Sequence, residues 1–342
     1  MRTAAFQALA AAAASSCGVA EPRPPVGAID WEELVRLAGR HRVAGLAHRS
    51  GWLDRLGAPE ATRAALAERA RRASLESLRV LALHREVLDL LGGAGIGALV
   101  LKGPAVAIDA YGDPNARAPG DADLLLAREA IPAAVRLLRG AGFDWYGWRP
   151  PEDPDRDAAG PDAIDRLEHL PMLRDVTLEK QGLQVELHWR LFPNAALLPV
   201  DPRWLAEPRM LEHHGALLPT LPLDAQWTYA LVHGTNHLWS ILKWLSDVPA
   251  LCLRHPELAR RAALARLDPG HQRAVATGLI VAEAVFGPFL SADSRAWAAS
   301  VRGTRVLVGR SLAAVTAPHD RSKRVTPRAL AGEIAGRLAL RA

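Results

Sequence analysis

Residues 96–126 read IGALVLKGPAVAIDAYGDPNARAPGDADLLL, and this stretch decides the fold. It opens with the apolar run 96–101, passes Lys102 and Gly103, and crosses an irregular span punctuated by Gly112, Pro114, Pro119 and Gly120. It closes with Asp121-Ala122-Asp123 running into Leu124, Leu125 and Leu126. Side chains alternate on a strand, so Asp121 and Asp123 project from one side, about 7 Å apart along the backbone. Two carboxylates at the mouth of an apolar strand make a poor core. They make a good magnesium site, because hard divalent cations take oxygen ligands and magnesium is usually held by one or two carboxylates plus substrate phosphates.

Outward from this stretch the pattern is mixed. Residues 97–101 predict a strand and 104–111 a short helix whose start follows Gly103. A helix start offers free N–H groups and a positive dipole end to a phosphate. An amphipathic helix is expected over 128–140, with a strand over 143–148. Residues 149–163 are rich in Pro and Asp and read as a polar surface loop. A hairpin follows: 169–180, a turn at Gln181-Gly182, then 183–191. Within it, VELHW puts Glu186 and His188 on one face and Val185, Leu187 and Trp189 on the other. Taken alone, that is equally a hairpin with a solvated face or a carboxylate and imidazole beside a site. Next to Asp121 and Asp123, Glu186 reads as the third metal ligand and His188 as its neighbour.

The flanks are helical. An Asp30-capped helical pattern covers 31–48, and 60–91 reads as one long helix or a helix pair with Leu66, Ala70, Leu78, Leu81 and Leu88 on one face, ended by Gly92-Gly93. From Asp224 onward the pattern is helical again. Residues 227–251 hold His233 and His237 one turn apart, then Lys243 and Asp247 one turn apart. A histidine pair at that spacing is compatible with zinc, but the Glu of a His-Glu-x-x-His site is missing. Two polar residues on a helix is the preferred reading.

Composition is that of a globular chain, 49% hydrophobic and 23% charged, with no apolar run long enough to span a membrane. Two cysteines, Cys17 and Cys252, give neither a disulfide framework nor zinc spacing, which fits a reducing cytoplasm. The start, MRTAAFQALAAAAASSC, reads either as a signal segment ending in a lipoprotein cysteine or as an Ala-rich helix. The weakly apolar Ala run favours the helix. Net charge is +5, and residues 302–342 hold nine basic and two acidic side chains, so the rest of the chain is slightly acidic. That tail suits either a polyanion such as RNA or a solvated helix surface. Only Lys102, Lys180, Lys243 and Lys323 are lysines, against 38 arginines. A retained Lys hints at a compact ammonium, the point-charge phosphate binder.

Leu101-Lys102-Gly103, Arg117, Asp121-Ala122-Asp123 and Glu186-Leu187-His188-Trp189 together resemble a bacterial nucleotidyltransferase family within the polymerase-beta-like superfamily. The likeness covers roughly residues 31–251. It departs from the wider superfamily where Lys102-Gly103-Pro104 replaces the usual Gly-Ser, with 17 residues between Gly103 and Asp121. The resemblance implies an α+β fold, a small mixed-sheet core (94–200) between helical subdomains (1–93 and 201–342). It implies two magnesium ions, with manganese as an alternative, on Asp121, Asp123 and Glu186. Lys102, Gly103, Arg117, His188, Lys243 and Asp247 would bind the nucleoside triphosphate. The implied acceptor is a small molecule, a peptide or protein, or tRNA, with no membrane partner. The rival expectation is an inactive scaffold that binds a nucleotide or regulates.

Overall fold

The computed structural model describes residues 3–118, 120–147 and 173–317. The loop expected over 149–163, the outer ends of the strands expected near 148 and 169, and the basic segment from residue 318 lie outside them.

Local sequence accounts for most element ends. Thr3 caps α1 (Ala4–Ser16) by accepting from the Phe6 N–H, and Asp30 caps α2 (Trp31–Arg40) by accepting from Glu33 at 3.0 Å. The helical pattern over 31–48 is interrupted. Arg42 takes φ 57, and the chain restarts as α3 (Ala44–Arg49) and α4 (Trp52–Arg55). The stretch after Glu60 is one unbroken helix, α5 (Glu60–Gly93). Leu78, expected on its buried face, is exposed; the buried stripe there is Val80, Leu83, His84, Val87 and Leu91. Then come β1 (Ala98–Val100), α6 (Pro104–Tyr111), β2 (Ala122–Leu126), α7 (Ile131–Gly140), β3 (Asp144–Trp145), β4 (Asp175–Lys180) and β5 (Leu183–His188). Gln181 and Gly182 both take positive φ, the two-residue hairpin conformation that matches strand twist. After α8 (Pro202–Ala206), His214-Gly215 repeats that turn between β6 (Arg209–His213) and β7 (Ala216–Thr220). The chain ends its described part in α9 (Leu223–Asn236), α10 (Leu242–Arg254), α11 (Arg261–Leu264), α12 (Pro269–Phe286), α13 (Ala292–Ser300) and α14 (Thr304–Thr316).

These elements form an α+β fold with helical N- and C-terminal regions and one seven-stranded mixed sheet. The described residues divide into two compact units. The first takes those up to Leu75, those of Asp109–Ala118 and those from Asp224 onward; the second takes those of Glu76–Ile108 and Pro119–Leu223.

In the first unit α1 is almost wholly buried, packed on α2, α3, α10 and α12. Its run of alanines lets the neighbouring helices approach, and the Cys17 Sγ meets the Ser246 carbonyl at 3.4 Å. The helix expected through 227–251 breaks instead. Leu238 and Trp239 both take φ 51, which turns the Trp239 ring back onto Gly234 and Gly278. A buried indole needs that missing Cβ on both sides.

The second unit is built on the sheet, with strand order β3-β4-β5-β2-β1-β7-β6. It continues past residue 200, since β6 and β7 complete one edge; residue polarity there does not follow the strand period, with Met210 and Leu217 exposed. One face is apolar: Val100, Leu124, Leu187 and Leu178 pack against Val87 and Leu91 of α5, Ile108 of α6 and Val135 and Leu138 of α7. The alternate positions face the other way. They include Asp123, Glu186, His188 and Asp175, so the strand period itself delivers four titratable groups to one side.

Candidate active site on the polar face of the sheet

β2 and β5 are parallel neighbours, with Asp123 directly opposite Glu186. Paired residues on adjacent strands share a face at a Cβ separation of about 5 Å. His188, two residues on from Glu186, falls on the same side. One ligand atom from each of Asp123, Glu186 and His188 lies within 4.8 Å of the other two, and among the described residues this is the one such cluster of three or more. The His188 Nε2 stands 3.1 Å from both Asp123 Oδ1 and Glu186 Oε2. Lys102, just past β1, places its Nζ 2.6 Å from the same Asp123 Oδ1.

Of the two readings of this face, the plain solvated hairpin does not hold. His188 is 0% and Asp123 2% exposed, while Glu186 is partly buried. Burial penalises both carboxylates, yet Lys102 and His188 outweigh it and hold Asp123 well below the ordinary aspartate range. Glu186 is also held low against burial, first by its bond to His188. The imidazole responds in the opposite sense: burial disfavours its charge, and the two carboxylates more than compensate, raising its affinity for a proton. Asp175 on β4 and Arg174 complete the group, with Arg174 Nε 2.6 Å from Asp175 Oδ2. Three carboxylates thus meet two permanent cations, Lys102 and Arg174. These carboxylates outnumber the two cations, and a proton on His188 or a bound cation would offset the difference.

Gly103 takes φ 58, a conformation that favours glycine, and its carbonyl accepts from Ala107 to begin α6. Behind that turn lies His84, whose Cε1 would sit 3.6 Å from a Cβ at position 103. His84 Nδ1 lies 2.8 Å from the Val80 carbonyl, and burial keeps the ring neutral by lowering its proton affinity. Asp121 directly precedes β2 and is partly exposed. The converging set therefore has His188 where the sequence reading had Asp121.

Arg117, Lys243 and Asp247 belong to the first unit, where they form a cluster of their own. Arg117 Nε meets Asp247 Oδ2 at 2.8 Å, and the Tyr111 hydroxyl donates to Asp247 Oδ1 at 3.0 Å. All three charged residues are nearly fully buried. Burial raises the Asp247 carboxyl despite the pull of Arg117 and Lys243. The His233 and His237 ring centroids lie 4.5 Å apart, the rings tilted by 51°, and both pack on Trp244, an aromatic cluster with no third ligand among the described residues.

Sequence reasoning missed Asp175, Arg174, His84 and Tyr111. Asp175 was within reach: in a hairpin turning at 181–182, residues 175 and 188 are register partners.

A family model described as "Uncharacterised nucleotidyltransferase" matches residues 27–287 of the chain. No curated protein matches it.

Proposed function

The chain belongs to this uncharacterised nucleotidyltransferase family, and from that premise we propose that it moves a nucleoside monophosphate group from a triphosphate to an acceptor hydroxyl, releasing pyrophosphate. The observation that carries the reading is the pairing of Asp123 with Glu186 on adjacent parallel strands, with His188 beside them. Such a set fits a divalent cation, because its donors converge and its carboxylates are the hard oxygen ligands such an ion takes. Asp121, Asp123 and Glu186, with His188, would hold magnesium or manganese, two ions on the polymerase-beta-like pattern. When bound, the metal stabilises charge on the attacking and leaving oxygens.

The chain's own residues have distinct tasks. Lys102 is a point charge on a flexible stem at the end of β1, able to exchange Asp123 for a phosphate oxygen. The Gly103 turn leads into α6, whose first turn, past Pro104, would offer backbone N–H donors to a phosphate. Glu186 or Asp123 would receive the hydroxyl proton, directly or through water, and Glu186 is the more exposed of the two. Arg117, Lys243 and Asp247 enter as nucleotide-binding residues on the family resemblance. The acceptor is a small molecule, a peptide or protein, or tRNA. The compartment we propose is the cytoplasm; no helix among the described residues is long and apolar enough to cross a membrane.

The test is incubation with each α-labelled triphosphate and a cell extract. Label in an acceptor together with pyrophosphate supports the reading; orthophosphate release would point to a hydrolase. A second reading is a nucleotide-binding or regulatory scaffold without catalysis, favoured by Lys102 and His188 both occupying Asp123 Oδ1. It predicts triphosphate binding that is indifferent to divalent cations.

A further inference from the structure

β4 supplies a residue that nucleotidyl transfer, as set out above, does not use. Asp175 pairs with His188 across the antiparallel β4/β5 ladder, and its Oδ2 lies 3.5 Å from His188 Nδ1. That nitrogen is fully buried and makes no complete hydrogen bond. The other nitrogen, Nε2, is the one aimed between Asp123 and Glu186. Asp175 is itself held by Arg174, whose Nη2 also reaches to 4.0 Å from Glu186 Oε2.

A neutral imidazole carries its hydrogen on one nitrogen and a lone pair on the other. A carboxylate facing Nδ1 gains a hydrogen bond only when Nδ1 bears the hydrogen, which leaves the Nε2 lone pair pointing at the two carboxylates. Metal-binding histidines are commonly fixed in this way by a carboxylate on the far nitrogen. We propose that Asp175 is a positioning residue that fixes the tautomer of His188, making Nε2 a nitrogen donor beside Asp123 and Glu186 in a site that prefers manganese to magnesium. An imidazole donor suits transition metals, whereas magnesium favours an all-oxygen shell. The inference rests on the cation-binding part of the nucleotidyltransferase reading.

Manganese(II) alone, titrated into the full chain and read by electron paramagnetic resonance with magnesium as competitor, tests it. The wild-type chain is expected to bind manganese at least about ten-fold more tightly than magnesium. Its spin-echo modulation should show a directly bound imidazole nitrogen. His188→Gln should remove that nitrogen signal. Asp175→Ala should weaken manganese binding by about 10- to 100-fold. Asp175→Asn should fall between, since an amide oxygen still accepts from Nδ1 without the charge. Thermal unfolding in EDTA shows whether each variant is folded, and Asp175→Asn, nearly isosteric, decides if the alanine variant is not. Bound manganese without nitrogen modulation, no manganese binding, no preference over magnesium, or wild-type affinity in the Asp175 variants would each overturn the inference. A chain that transfers nucleotide with magnesium yet shows no nitrogen coupling keeps the function above and loses this inference. Nitrogen-coupled manganese in a chain that transfers nothing does the reverse.

Discussion

Replacing Lys102 by Met probes the centre of the sheet's polar face without touching a carboxylate. The Asp123 side chain is 2% exposed, and Lys102, 18% exposed, approaches its Oδ1 to 2.6 Å. Breaking a fully buried ion pair costs about 3–5 kcal/mol, because the remaining charge is stranded. Here His188 still faces the same oxygen at 3.1 Å and Lys102 is partly solvated, which brings the loss to or below the bottom of that range, about 2–3 kcal/mol. With a urea slope of about 2 kcal/mol/M, the midpoint should fall by roughly 1 M. The assay is a double-mutant cycle in EDTA at pH 7 with Lys102→Met, Asp123→Asn and the pair. The double variant should recover at least half of the loss, since no charge is then stranded. Single effects that add to within about 0.5 kcal/mol would refute the buried pair. The pH dependence has a definite sign. Asp123 is depressed in the folded chain, so its contribution is present above the unfolded aspartate value of about 3.9 and is lost as pH falls through the folded one. The gap between wild type and Lys102→Met should therefore narrow in acid.

Elsewhere, Glu283 accepts from Arg295 and from the Phe289 and Leu290 N–H groups, which together overcome burial and hold its carboxyl low. Glu283→Gln should cost about 1–2 kcal/mol at pH 7, fading as pH drops below about 4, measured by urea unfolding across pH. Gly234→Ala sets a Cβ 2.3 Å from the Trp239 ring and should destabilise by about 3 kcal/mol, whereas Gly309→Ala, with nothing within 4 Å on helix α14, should be neutral or stabilising. Cys17 and Cys252 are buried, and burial pushes both thiols up, that of Cys252 to about 12. Neither should react with a disulfide reagent at pH 8 until urea unfolds the chain.

The strand–turn–helix–strand of the core was legible because each boundary carries its own chemistry. Gly103 needs positive φ, Gln181-Gly182 makes a two-residue turn, and the alternation in VELHW assigns Leu187 to the core and Glu186 to the other face. The juxtaposition of Asp123 with Glu186 follows once both strands sit in one sheet. Three things were not legible. Burial of His188 depends on tertiary cover that a strand pattern does not encode. The break after α9 depends on a Trp239 ring finding two glycines, Gly234 and Gly278, that lie far apart in sequence. In the β6/β7 hairpin Met210 and Leu217 are exposed while Arg209 and His213 are half-buried, so residue polarity does not follow the strand period.

The most direct measurement is calorimetric titration of ATP into the chain with magnesium and with EDTA, repeated on Asp123→Asn. Binding should depend on the divalent ion, and this one substitution should abolish it or weaken it at least about ten-fold. Equal affinity with and without the ion, or an Asp123→Asn chain that binds as the wild type does, would contradict the divalent-ion site.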